Sequence, residues 1–240
     1  MTGSDDKEDR LISRQNISYY DVIAPEYDAI LNRDSANAII RAKVAARFRS
    51  LVKGGYVLDF GGGTGQDLGW LVQQPYDIIF CEPSAKMRRI AIERGKNEFP
   101  HASVSYLDNG KTDFRSWNAL FPLNHKVKAV LANFAVINCI PDIELLFEKL
   151  ALVTETGGAV IALLLDNGLV KRMRSNLKGT LQSLFSRRPV SISIDHNGEQ
   201  QLVYIHSMNA IRRSLANRFE LNDIERFNGS GFCLIHLIRK

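Results

Sequence analysis

Short apolar runs alternating with helix-period segments dominate the middle of this chain. Tyr56–Phe60, Asp77–Cys81, Val104–Leu107, Val127–Ala132 and Gly158–Leu165 read as five strands. Between them, Leu68–Gln73, Ser84 to about Lys96 and Asp142–Val153 carry helical spacing. Strands separated by helices at this spacing predict a parallel sheet covered on both faces, since a parallel crossover needs about a dozen residues. Ahead of it, residues 35–52 place Ala38, Ile39, Ala42, Ala45, Ala46 and Phe48 for a core-facing helix. Ser13 to about Leu31 predicts two short helical pieces, because Pro25 has no N–H to continue one helix. The polar, acid-rich residues 1–12 are expected to form a flexible leader.

The alternation breaks after the fifth strand. Leu169, Met173, Leu177, Leu181, Leu184 and Phe185 recur at helical spacing, predicting an amphipathic helix. Val190–Asp195 and Gln201–His206 then flank His196-Asn197-Gly198-Glu199, an Asn-Gly hairpin signal. A helix over Asn209–Ala216 and runs at Phe219–Ile224 and Phe232–Ile238 close the chain; the final pair predicts an antiparallel addition to the sheet. Residues 13–240 thus read as one α/β domain, with a helical cap over 13–50 and a helix-plus-hairpin insertion over 166–206.

Composition narrows the class without naming a chemistry. A chain of 240 residues that is 45% hydrophobic can bury one substantial core, and no apolar run approaches the roughly 20 residues that cross a bilayer. Cys81, Cys139 and Cys233 show no CxxC spacing, which favours buried thiols in a reducing cytoplasm. The net charge of +5 is concentrated in Lys171, Arg172, Arg174, Lys178, Arg187 and Arg188, an anion-attracting stretch. Few aromatic residues interleave with it, unlike a nucleic-acid surface, so nucleic acid is not the first expected partner.

The chemistry-bearing pattern is Val57-Leu58-Asp59-Phe60-Gly61-Gly62-Gly63-Thr64-Gly65, a glycine turn between strand and helix. It lacks the lysine of a phosphate loop, and Gln66 stands where a dinucleotide fingerprint has its third glycine. Asp59 would repel a pyrophosphate but suits a ligand with a cationic amine and hydroxyl donors. Glu82 ends the next strand, where a carboxylate can accept both hydroxyls of a ribose.

On these residues the chain resembles the class I S-adenosylmethionine-dependent methyltransferases, especially the group acting on small molecules. The resemblance spans about residues 19–165. It implies a Rossmann-like, doubly wound, seven-stranded and mostly parallel sheet with an antiparallel last strand. It also implies binding of S-adenosyl-L-methionine, with S-adenosyl-L-homocysteine as product. In such enzymes the stretch corresponding to Asp59, Gly61, Gly63 and Gly65 cradles the methionine portion, and the equivalent of Glu82 holds the ribose. Tyr20-Asp21 through Tyr27-Asp28 resembles a segment that closes over the cofactor, so Tyr20 and Tyr27 are expected near its carboxylate end. Pro83 and Met87 correspond to residues beside the adenine, Asp108 and Asn109 to the site of its amine. Asn133 and Phe134 fall at the junction of cofactor and acceptor. The prolines and tyrosine of an Asn-Pro-Pro-Tyr motif are missing after Asn133, which argues against methylation of exocyclic DNA amines.

Direct displacement at a sulfonium methyl requires no metal, and no HExxH or comparable ligand spacing occurs. A hydroxyl acceptor would call for a base, for which His206 is the candidate; His196, His101, His125 and His236 are placed less well. The expected protein is a cytoplasmic monomer or homodimer that methylates nitrogen or oxygen of a small molecule. RNA, protein or lipid acceptors, a non-catalytic cofactor-binding subunit or sensor, and a dinucleotide oxidoreductase are the rival readings.

Overall fold

A computed structural model describes residues 3–166, 190–196 and 198–240. Three helices open the chain: α1 (Gly3–Ile23), α2 (Tyr27–Asn32) and α3 (Ser35–Leu51). The α/β body follows as β1 (Gly55–Phe60), α4 (Leu68–Leu71), β2 (Tyr76–Cys81), α5 (Ala85–Glu98), β3 (Val104–Tyr106), β4 (Val127–Ala132), α6 (Ile143–Val153) and β5 (Thr154–Leu165). A separate hairpin, β6 (Val190–His196) with β7 (Glu199–Ile205), precedes α7 (Met208–Leu215), β8 (Phe219–Phe227) and β9 (Phe232–Arg239). The expected amphipathic helix over 169–185 and the basic residues 171–188 lie outside the described residues.

The main sheet has seven strands in the order β3-β2-β1-β4-β5-β9-β8. Its first five strands are parallel neighbours, and β9 runs antiparallel to both β5 and β8. The antiparallel strand is therefore internal, and β8 forms the edge. Side-chain alternation explains why the strands are apolar throughout. Leu58, Phe60, Ile79 and Cys81 join the core under α6, while Val57, Ile78 and Phe80 join the core under α3 and α4. Each fully buried aliphatic side chain of this kind contributes about 1.5–3 kcal/mol. Local signals set the helix starts: Asp34, Ser84, Asp142 and Ser207 each accept a hydrogen bond from a backbone N–H of the first turn.

Two boundaries differ from expectation. Residues 3–12 form the first turns of α1, continuous with the helical piece expected after them. Their polarity marks one side of a helix: Arg10, Ser13, Arg14, Ile17 and Tyr20 share its cavity-facing side at helical spacing. Strand β5 starts at Thr154, directly after α6, and a register shift separates its Val127 pairing from the Ala129–Ala159 pairing. The break at Pro25 occurs as predicted. Among the described residues, no helix is long and apolar enough to cross a membrane.

The chain leaves β1 toward β2 and β3 on one side, then returns to lay β4 and β5 on the other. A crevice at the carboxyl ends of strands follows from such a reversal. Here it opens above β1, β2 and β4, roofed by α1.

Candidate active site

A cavity of about 330 Å³ fills this crevice. Its floor comes from the turn after β1. Gly61 and Gly62 donate their N–H groups to the last carbonyl of β2, Cys81 O, at 2.8 and 3.2 Å. Gly61 has φ +74°, and a Cβ there would lie 2.5 Å from Val136; a Cβ on Gly62 would lie 2.3 Å from the Phe80 ring. Only glycine lets the turn pass between these neighbours.

Glu82 completes the floor. Its Oε2 accepts from Gly63 N at 2.9 Å and its Oε1 from Ser84 N at 2.7 Å, leaving further lone pairs toward the cavity it lines. Burial pushes the carboxyl up to about 7, opposed by those two N–H donors and by Arg88. A diol could complete this shell. Arg88 also donates to the Glu82 carbonyl and to Asn109 Oδ1, drawing Asn109 into the lining with Pro83.

The exit of β4 supplies a second wall. Phe134 and Ala135 take φ values of +49° and +65°, which turns the chain sharply. Asn133 Nδ2 donates to Asp67 Oδ2 at 2.9 Å, and Asp67 Oδ1 accepts from Trp70 Nε1 and pairs with Arg41 Nη1 at 2.6 Å. The Arg41 guanidinium also lies 4.5 Å over the Phe134 ring. Asn133 and Phe134 are thereby fixed as lining residues.

This floor joins a glycine turn, a carboxylate at the end of the neighbouring strand and an asparagine at the sheet's switch point. A family model for the methyltransferase domain matches residues 31–223, most of the chain. The chain is a class I S-adenosylmethionine-dependent methyltransferase. Among curated proteins, no sequence matches it significantly. Solved structures similar to the methyltransferase include the DhpI–SAH complex, 18% identical with a TM-score of 0.69 over 95% of this chain and 97% of that one. The DhpI–SAM–HEP complex is 20% identical with a TM-score of 0.68, over 94% and 97%. The PH0226 protein from Pyrococcus horikoshii OT3 is 17% identical with a TM-score of 0.63, over 93% and 99%. At these identities the likeness is one of fold.

In this methyltransferase Tyr20, Tyr27, Gly61, Gly63, Glu82, Pro83, Asn109, Asn133 and Phe134 all line the cavity. Other expected site residues do not. Asp59 lies beneath the turn on the Val57 side of β1, 1% exposed, with Oδ2 unpartnered among the described residues. Burial, then Asp67, raises its carboxyl well above the usual range. Gly65 packs against Ala91 and Leu68 where α4 and α5 approach each other. Met87 is core, buried with Tyr19, Ile23 and Ala24 under α1. Asp108 points to solvent, accepts from Gly110 N and pairs with Lys111.

His206 requires the clearest correction. Its Nε2 lies 3.0 Å from the Ile140 carbonyl, the ring is 5% exposed, and it is not among the lining residues. Burial lowers it to about 4, so it is neutral, bonded to backbone and structural.

The roof contains what the motifs did not show. Arg10, Ser13, Arg14, Asn16 and Ile17 of α1 line the cavity, as do Thr112–Arg115 and, after β4, Val136, Cys139 and Ile140. Asn16 ties three segments together: Nδ2 donates to Cys139 O and Leu202 O at 3.1 and 3.0 Å, and Oδ1 accepts from Leu202 N at 2.8 Å. Gln201 Nε2 donates to Tyr20 Oη at 2.7 Å and to Cys139 Sγ at 3.2 Å. Burial raises both Tyr20 and Tyr27, keeping their phenols neutral. The periodic pattern of α1 was the one available signal for this wall.

Proposed function

We propose that the methyltransferase transfers a methyl group to nitrogen or oxygen of a small-molecule acceptor held beneath α1. The observation carrying this reading is the roofed cavity. Helix α1 is tied through Asn16 to both the hairpin and the β4 exit, a closure suited to a compact acceptor. S-adenosylmethionine, when bound, supplies an electrophilic sulfonium methyl. Gly61 and Gly63 would receive its methionine portion, Glu82 its ribose hydroxyls, and Pro83 with Asn109 its adenine. Tyr20 and Tyr27 would shield the reacting region from water and donate neutral hydroxyls toward it. With His206 committed to backbone, a neutral amine, which needs no base, suits this wall well. The DhpI complexes, similar in fold, hold SAH, or SAM with HEP. The free state of Cys81, Cys139 and Cys233 suits a reducing cytoplasm.

Calorimetry with S-adenosylmethionine, S-adenosylhomocysteine and NAD tests the donor site, with binding expected for the first two alone. Glu82→Ala should weaken S-adenosylhomocysteine on the order of 100-fold, the loss of two hydrogen bonds to a charged group. Unchanged affinity would reject the ribose role. Incubation with labelled donor and separate metabolite, RNA, protein and lipid fractions should label a metabolite; label confined to a polymer or lipid would overturn the acceptor reading. Donor binding with no labelled product would favour a sensor.

A further inference from the structure

One part of the cavity lining is basic. Arg10 and Arg14, one turn apart on α1, lie there with Ser13 between them, and Arg115 joins from the short turn Phe114–Ser116. The opposing acid in this part is Asp113, whose Oδ1 also accepts from Arg115 N at 3.1 Å. Glu82, the other lining carboxylate, is already assigned to the ribose.

Arg115 is the informative group. Its side chain is 6% exposed, and its Nη1 comes no closer than 4.0 Å to Asp113 Oδ1. Its Nη2 makes a long 3.5 Å bond to the Asp9 carbonyl, and the guanidinium lies 4.9 Å from the Phe114 ring centre. A guanidinium presents a fixed fork of donors, and shielding that cation from water with so few short acceptors among the described residues is unfavourable. An anion entering the cavity would complete the fork bidentately, and the Phe114 face would hold its plane. Arg14, exposed at the mouth, would add a second positive charge.

We propose that this part of the cavity recognises an anionic group of the methyl acceptor, a carboxylate or a phosphoryl group, with Arg115 as its principal ligand and Arg14 as its second. The inference rests on the small-molecule reading above and narrows it. The acceptor is an acid or phosphoryl compound whose nucleophilic atom stands apart from its anionic group.

Calorimetric titration of the full chain with inorganic phosphate and, separately, with acetate tests the site, with and without saturating S-adenosylhomocysteine. Saturable binding of one or both probes is expected. Arg115→Gln should weaken it about tenfold or more and Arg14→Gln severalfold, as for lost hydrogen bonds to a charged group. Arg89→Gln, altering a well-exposed side chain of α5, should leave it unchanged. A preference for phosphate assigns a phosphoryl acceptor, and a preference for acetate a carboxylate. No saturable binding of either anion, or binding that survives both site substitutions, overturns the proposal. Should Arg115→Gln fail to fold, Arg14→Gln decides alone. Anion binding without S-adenosylhomocysteine binding would sink the donor reading and leave this site standing; the reverse result would do the opposite.

Discussion

The floor and the roof of the cavity are built in opposite ways. The floor uses neighbours in sequence and backbone groups: Gly63 N reaches Glu82 across 19 residues, and both hydrogen bonds to the Glu82 carboxylate come from the main chain. The roof uses side chains and distant partners. Asn16 reaches Leu202 across 186 residues, and Gln201 reaches Tyr20 across 181. A floor of fixed donors suits one unvarying ligand. A roof of side-chain contacts can change with the acceptor while the floor stays the same.

The contrast can be broken most severely at the turn. Gly61→Ala places a methyl group 2.5 Å from Val136 at a left-handed φ. S-adenosylhomocysteine affinity should fall on the order of 100-fold by calorimetry, with a loss of about 1–3 kcal/mol in stability from overpacking. Retention of near-native affinity would show that the floor is not rigid.

The next effect is on pH. Glu82 stands at about 7 rather than its ordinary 4.5 because burial disfavours the ionised form. Hydroxyl donors favour that form, so ligand binding should release a proton below this value. Affinity should be full above pH 7 and fall by up to about tenfold per unit on acidification, whereas Glu82→Gln should give a flatter profile. The same shift has the opposite sign for the unliganded fold. Ionised Glu82 reduces its stability as pH rises from 4.5 through 7, and acidification restores it.

Breaking the roof should separate it from the floor. Asn16→Ala leaves backbone groups of Cys139 and Leu202 without their partner, a cost of about 1–3 kcal/mol. Hydrogen exchange should rise at Leu202 and Tyr204 while S-adenosylhomocysteine affinity changes little. A large affinity loss would show that the two halves are coupled.

The smallest expected effect belongs to His206→Gln, which should leave turnover unchanged; a collapse of turnover would return this residue to the chemistry. Its depressed value, about 4 against 6.5, means that the fold keeps it neutral. The wild-type fold should lose stability as pH falls from 6.5 toward 4, and the variant should lose less over that window. Denaturant midpoints across this range measure the difference.

The sheet and the floor were legible because periodicity and a contiguous motif encode them. The paired Tyr-Asp segments were only half legible. Tyr20 and Tyr27 face the cavity, but each following aspartate turns to the scaffold: Asp21 accepts from Ser84 Oγ and Lys86 N, and Asp28 from Thr64, Gln66 and Arg94. Met87 carries the spacing of a helix and ends in its core, a choice made by the docking of α1. Arg115 stands in an irregular stretch, where no period says which way a side chain points. Arg10 was obscured by composition, since a polar helix face over a cavity resembles a solvated leader, and Arg14 fell in a predicted helical piece whose cavity-facing side no motif marked.

Strand β9 carries a consequence for synthesis. It lies between β5 and β8, so the apolar run Val160–Leu164 keeps one open edge until Phe232–Arg239 has been made. On the ribosome, the chain through Arg239 must emerge before that edge is sealed, and an exposed strand edge is a template for pairing with another chain. The nascent methyltransferase therefore passes through an interval, from the synthesis of β5 to that of β9, in which another strand edge can compete with β9.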